Sequence, residues 1–366
     1  MTSIAGFSIE KRPVLIGDLM LSGPELSQRS LSIPTIGDSR NVFPEGSGTV
    51  LTGLIQKVNV LSDNFMIAWA GRAFVARTVI RELNELASRE PLNLQKLDQF
   101  LECFRQSKDG NNAQFIGCLG DSSKIISFGL GGTCFDTPRW GQVRTAGSGG
   151  EDIQSLFRGF ELSEGSDGSE KTPEYANLRA LMISGHLLQV ELSTYSPLLQ
   201  YYGGGYEIAA LVNGKFQKIG DITYLFWDIN VTDVEVGLSR PYHVVKIGYW
   251  NDNLIMRTLR IRPDLRFEEA GYIVPSIFRE ITRDKIQGPR PPDLNAPYLV
   301  NLFLVKWPDG SSEWMSRADY IPPPNNYIVF HETKDGFEIS FNNSFFENIG
   351  NEVIDRLKKR MHGKGT

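Results

Sequence analysis

The chain has 366 residues, with 38 Lys and Arg against 43 Asp and Glu, and a formal charge of −5 at pH 7. Its 41% hydrophobic and 11% aromatic content is that of a folded protein with chain enough for about two domains. The slightly acidic balance, with no basic run beyond Lys358–Arg360, excludes the footprint of a nucleic-acid binder. No apolar stretch reaches transmembrane length, and Glu10, Lys11 and Arg12 stand where a signal peptide needs its apolar run, so a cytoplasmic protein is the expectation.

In chain order, apolar runs at Ser3–Ile9 and Val14–Met20 predict two strands, and the polar stretch Ser22–Gly48 a long irregular insertion. Leu54–Leu61 and Phe65–Ala70 flank Ser62-Asp63-Asn64, which is turn chemistry for a hairpin. From Arg72 the period changes to helical: Ala76, Val79, Ile80, Leu83 and Leu86, then Leu94, Leu97, Leu101 and Phe104 beyond Pro91. Ala113–Leu119 and Lys124–Phe128 predict a further strand pair, and Glu151–Phe160 a short helix whose acidic start suits its dipole. A long helix is expected from Pro173, capped by Thr172, to about Thr194. After Gly203-Gly204-Gly205, strands Tyr206–Val212 and Lys215–Ile219 flank Asn213-Gly214, the strongest hairpin signature in the chain.

Hairpins alternating with helical pairs predict a layered α+β fold of antiparallel sheets covered by helices, and disfavour a parallel Rossmann-type sheet. The remainder reads differently. Tyr242–Trp250 and Leu254–Arg262 are expected strands, and Lys285–Pro297 carries four prolines. Tyr298–Trp307, Ser312–Tyr320, Asn325–Thr333 and Phe337–Asn343 are strands again, with turns at Asp309-Gly310 and Asp335-Gly336, before a helix over Phe345–Met361. The expected division is a domain at 2–230 with an insertion at about 22–50, a β-rich extension at 231–284, a Pro-rich linker at 285–297 and a small β-rich module at 298–366.

Cofactor chemistry finds no support in the sequence. Cys103, Cys118 and Cys134 fit neither a disulfide framework nor a zinc pattern and read as small buried hydrophobes. His186, His243, His331 and His362 have no paired spacing; His186 reads as a buried or half-buried helix residue. No phosphate-binding loop precedes a helix, and Ala146-Gly147-Ser148-Gly149-Gly150 lacks the first glycine of a nucleophile elbow.

What remains is Thr2. Removal of Met1 makes it the leading residue, and a free α-amine, with an ordinary pKa of about 7.7–8.0, is a base carried by the same residue as the hydroxyl nucleophile. Asp18 ends the second strand, Lys57 opens the third region and Ala70-Gly71 closes the fourth strand. Four segments carry a resemblance over roughly residues 2–225: MTSIAGFSIEKRPVLIGDLM, QKVNVLSDNFMIAWAGRAFVARTVIREL, RTAGSGGEDIQSLFRGF and LLQYYGGGYEIAALVNGKFQKIG. Together, in this order, they resemble the proteasome β-subunits and the HslV-type peptidase, which are N-terminal nucleophile hydrolases.

The resemblance implies the specific form of the fold, a four-layer αββα sandwich of two antiparallel sheets covered by helices, and a threonine peptidase. Thr2 matches the nucleophile and its amine the proton acceptor; Lys57 matches the lysine beside the nucleophile, and Asp18 the acid that pairs with it. Gly71 matches the glycine whose N–H faces the oxyanion, and Ser148 a serine supporting the amine. It also implies polypeptide substrates, a homo-oligomeric ring and an ATP-dependent unfoldase as partner, while charge, hydropathy and motif spacing already give no cofactor or metal and no membrane or nucleic-acid partner. The chain departs from the family at Gln200 and Gly203, where an Asp and a Ser or Thr are usual, and in the 39 residues from Asp18 to Lys57. A cut at Gly48-Thr49 is a rival way to expose a threonine, but it discards the first hairpin. A non-catalytic scaffold of the same fold and a small-amide amidase are the alternative functions.

Overall fold

The structure is a computed structural model, and it describes residues 2–9, 11–24, 32–38, 48–121, 124–138, 140–159, 173–261, 267–278, 297–321, 327–333 and 336–363. Met1, the expected cap Thr172, Phe160, Asp335, Asn325, most of the 285–297 stretch and much of 22–50 lie outside the described residues. The chain is a mixed α and β protein with several antiparallel sheets, divided into two units.

The first unit comprises residues 1–220, 249–254 and 273–288. Its larger sheet is built on β1 (Ser3–Ile9) and β2 (Arg12–Asp18), which pair antiparallel from Ile4↔Gly17 to Ile9↔Arg12. On one side β12 (Gly141–Gly147) and the edge strand β11 (Thr133–Thr137) extend it; on the other, β13 (Tyr206–Val212) and β14 (Lys215–Ile219). The β13–β14 turn is the Asn213-Gly214 pair, with φ of 51° and 79°, the two left-handed residues that a type I′ turn demands. β11 and β12 were not foreseen, because TCFDT and GQVRTAG carry no clean alternation, and β11 stays largely exposed at the sheet edge.

A second sheet has the order β10-β9-β8-β7, from β7 (Val58–Ser62), β8 (Phe65–Gly71), β9 (Ala113–Asp121) and β10 (Lys124–Leu130). β8 reads FMIAWA without alternation because both its faces are covered. Phe65, Ile67 and Trp69 share a core with Val75, Val79, Ile80 and Leu83 of α1 (Ala73–Arg89) and Leu97 and Leu101 of α2 (Leu94–Gln106). Met66, Ala68 and Ala70 point the other way, into a core with Ile4 and Leu15 of the larger sheet. That larger sheet is covered in turn by α3 (Gly150–Gly159), through the Phe7, Trp140 and Phe157 rings, and by α4 (Pro173–Thr194), which meets β2 and β13.

The stretch expected to be irregular is closed at its base by a ladder. β3 (Met20–Pro24) pairs with β6 (Thr49–Leu54), and a small pair, β4 (Ser32–Ile33) with β5 (Gly37–Asp38), lies within it. Ile33 and Ile36 are buried with Met20, Leu51 and Leu198, the last in α5 (Ser196–Leu199).

The second unit comprises residues 221–248, 255–272 and 289–366. The division therefore falls before β15 (Ile222–Val231) and not at 230, and the expected extension and C-terminal module are not separate. The physical reason is strand pairing. β19 (Tyr298–Lys306) pairs with β15 in parallel from Ile222↔Tyr298 to Asn230↔Lys306, inside a sheet that also holds β16 (Val236–Trp250), β17 (Asn253–Ile261), β18 (Phe267–Val274) and β20 (Ser312–Tyr320). Trp227 stacks on Phe303 and Phe345, and Ile349, Val353 and Leu357 complete that core from the C-terminal helical segment, whose last stretch is Asn351–Gly363.

Of the cysteines only Cys118 is buried. Cys103 and Cys134 are exposed, because Cys103 lies on the face of α2 opposite Leu97 and Leu101 and Cys134 sits on the edge strand β11. His186 is half-buried on α4, and burial lowers its pKa. Among the described residues, no helix is long and apolar enough to cross a membrane.

Candidate active site

Four chain segments converge at one end of the larger sheet. β1 begins there with Thr2 and Ser3, β2 ends there with Asp18, β12 leads into Ser148, and the turn before β13 contributes Gly203-Gly204-Gly205. Antiparallel pairing makes this inevitable: Ile4 faces Gly17, Ser3 faces Gly147 and Tyr206 faces Asp18, so each adjacent segment stops at the same level.

Asp18 is the hub. Its side chain is wholly buried, and Oδ1 accepts from both Lys57 Nζ and the Ser3 N–H, each at 2.7 Å. Oδ2 accepts from the N–H groups of Gly203 at 3.0 Å and Met20 at 3.2 Å. A carboxylate taken out of water is tolerated when a cation and several N–H groups replace the lost hydration, and Asp18 has both.

Lys57 is equally buried and also donates to the Met20 carbonyl at 2.6 Å. Burial pulls its ammonium below the ordinary value of 10.5, while Asp18 and, more weakly, Glu207 oppose that shift. The Lys57 main chain is fixed from behind. Glu207 Oε1 accepts from the N–H groups of Lys57 and of Val58, the latter at 2.8 Å, and Glu207 Oε2 accepts from Lys218 Nζ at 2.8 Å and Tyr249 OH at 3.4 Å. Next to it, Gln56 donates to the carbonyls of Asp252 at 2.8 Å and Val274 at 2.7 Å.

Thr2 is buried, and its N–H lies 3.3 Å from Ser148 Oγ. The Ser148 hydroxyl has the carbonyls of Gln200 at 3.1 Å and Thr2 at 3.4 Å within reach of its one proton. The structure thus gathers Thr2, Asp18, Lys57 and Ser148. Gly71 faces Ala113 in the β8–β9 pair, and it is its neighbour Ala70 that faces Gln114, which accepts from the N–H of Gly147, the residue opposite Ser3, at 2.9 Å. Gly71 itself is exposed, with φ of 99°.

The two departures from the family pattern, Gln200 and Gly203, both reach the site through their main chain. Gln200 offers its carbonyl to Ser148, and Gly203 its N–H to Asp18. Gly203 also takes φ of 120°, and its carbonyl accepts from Leu19 and Met20, so the turn is stitched to the end of β2 in both directions. A side chain there is barred twice, by the left-handed conformation and because its Cβ would lie 2.5 Å from Glu191 Oε2. Glu191 and Glu207 carried no mark in the sequence, since their partners lie far away in the chain.

Compared with known proteins, the chain matches no protein-family model and no curated protein sequence.

Proposed function

We propose that the protein is a proteasome-like threonine peptidase, an N-terminal nucleophile hydrolase with an αββα sandwich in its first unit, which cleaves peptide bonds through Thr2 once whatever precedes that residue has been removed. The observation that carries this reading is Asp18 Oδ1, which bonds Lys57 Nζ and the Ser3 N–H at once and so ties a buried lysine to the residue beside the nucleophile. The two facing sheets with helices outside them support the fold assignment.

In the reaction, the Thr2 hydroxyl oxygen attacks the amide carbonyl carbon while its proton passes to the freed α-amine. Lys57, kept charged by Asp18, lowers the amine's proton affinity and stabilises the developing alkoxide. Ser148 orients the amine through the contact it already makes with that nitrogen. The Gly71 N–H is assigned to the oxyanion, where one lost donor costs roughly 2.7–4 kcal/mol of barrier. The ammonium then returns its proton to the leaving amine, the C–N bond breaks, and water activated by the same amine hydrolyses the acyl ester. A homo-oligomeric ring and an ATP-driven unfoldase belong to this reading as partners.

The test is direct. Intact mass and N-terminal sequencing of the purified protein should find Thr2 as an unblocked first residue, and an epoxyketone should label it covalently. Labelling should vanish in Thr2→Ala, with the fold kept as judged by circular dichroism. A blocked terminus, or labelling that survives the substitution, overturns the peptidase in favour of a non-catalytic scaffold.

A further inference from the structure

Glu191 lies near the C-terminal end of α4 and is fully buried. Its Oε1 accepts from the Thr35 hydroxyl and, at 2.9 Å, from the Gly204 N–H. No described residue makes a well-formed hydrogen bond to its Oε2, which lies 2.5 Å from where a Cβ on Gly203 would be; the Gly205 N–H is the further donor turned toward the carboxyl group. Two buried carboxyl groups therefore flank one glycine turn: Asp18 takes the Gly203 N–H and Glu191 the Gly204 N–H. Their surroundings are opposite in character. Asp18 has Lys57 at 2.7 Å, whereas among the described residues Glu191 makes no ion pair.

We propose that Glu191 is a positioning residue for the Asp18–Lys57 pair: clasped by Thr35, its carboxyl group works as a neutral acid that fixes the Gly203–Gly205 turn and thereby the donor that Gly203 presents to Asp18. This rests on the peptidase reading for its catalytic meaning, and on geometry for its structural meaning. An ionised oxygen buried without a cation or a well-formed hydrogen bond costs far more than a neutral hydroxyl in the same place, so Oε2 itself favours the protonated form. Burial and the nearby Asp18 push the Glu191 carboxyl up to about 8, against the donors from Thr35, Gly204 and Gly205. The other titratable groups around it are Tyr206 and Tyr202, with Asp152 bonded to Tyr202 OH at 2.7 Å, and Lys57 beyond Asp18. Thr35 belongs to the small β4–β5 piece, which packs on Met20 and Leu198. The clasp thus recruits the insertion into the support of the site, in the place where the family's Asp and Ser or Thr are missing.

Glu191→Gln keeps the Oε1 acceptor and cannot ionise; Glu191→Ala removes the clasp. Epoxyketone labelling should slow by at least about tenfold in Glu191→Ala and recover to within about threefold of wild type in Glu191→Gln, whose rate should also escape the decline that wild type shows as pH rises through about 8. Amide exchange over residues 199–206 should speed up in Glu191→Ala and stay slow in Glu191→Gln, with exchange in β9 as the control. Wild-type labelling and exchange in Glu191→Ala overturn the proposal, as does a Gln variant no better than Ala. Should Glu191→Ala fail to fold, Thr35→Val takes its place; faster exchange at 199–206 supports the clasp and unchanged exchange overturns it. A wild-type protein that never labels sinks the peptidase alone, and the exchange measurement then decides on Glu191.

Discussion

Lys57 is held by two carboxylates of opposite design. Asp18 takes its ammonium, in a pair from which water is excluded on both sides. Glu207 takes its main-chain N–H, and neutralises its own charge with Lys218, whose side chain is about a fifth exposed at 19%. The first arrangement fixes where a charge sits; the second fixes where the backbone carrying it runs. A buried ion pair is weak evidence of stability in itself, because desolvating both charges offsets much of their attraction, whereas the Glu207 arrangement resembles ordinary structural bonding. On the proposed reading, the contrast puts the chemistry on the Asp18 side.

Removing one side at a time breaks the comparison. The largest effect is expected from Lys57→Met, which leaves Asp18 buried without its cation and should lower unfolding free energy by about 3–5 kcal/mol in urea titrations, with covalent labelling abolished. Glu207→Gln keeps the oxygen that accepts from both N–H groups, but sets an amide NH2 where Oε2 now accepts from Lys218 and Tyr249. It should cost about 1–2 kcal/mol in the same titration and slow labelling without abolishing it. An equal cost for the two variants would erase the distinction.

The third buried carboxyl sharpens it. Glu191 has its folded value raised from 4.5 to about 8, so the stability it contributes is complete below about 4.5 and is lost as pH climbs toward 8. In Glu191→Gln that loss should disappear. Melting temperatures at pH 6 and pH 9 should therefore lie closer together than in wild type, mainly because the variant is the more stable protein at pH 9. A spacing equal to that of wild type would show that Glu191 does not change its charge over this range.

Much of the first unit was legible in the sequence, because burial on two faces or one leaves a pattern. Phe65–Ala70 and the helical spacing from Ala76 to Leu86 read directly. β11, β12, β15 and β18 did not. β11 is an exposed edge, and the parallel pairing of β15 with β19 joins segments that only folding brings together. At the site, Asp18, Lys57 and Ser148 act through side chains whose residue types fit a known pattern, and Thr2 stands out by its place behind Met1, although its contacts with Ser148 run through its main chain. Gln200 and Gly203 read as departures that weaken the site, and their main-chain contacts could not be foreseen, since a carbonyl and an N–H are carried by every non-proline residue. Glu207 stood in an ordinary strand, and nothing local announced that it would cap the N–H groups of residues 57 and 58.

Thr2, Asp18, Ser148 and the Gly203 turn come from the larger sheet and its loops, while Lys57 and Gly71 come from the smaller one. If the proposed reaction runs here, the gap between the layers is a calliper on it. Next to Asp18 its jaw is Gly17, where even a methyl group would stand 3.0 Å from Val58 Cγ2 and 3.4 Å from Lys57 Cβ. A single hydrogen in place of a side chain sets how near the acid and the ammonium can come. On the proposed reading, a substitution at this buried glycine would be felt at the Asp18–Lys57 pair as a change of gauge.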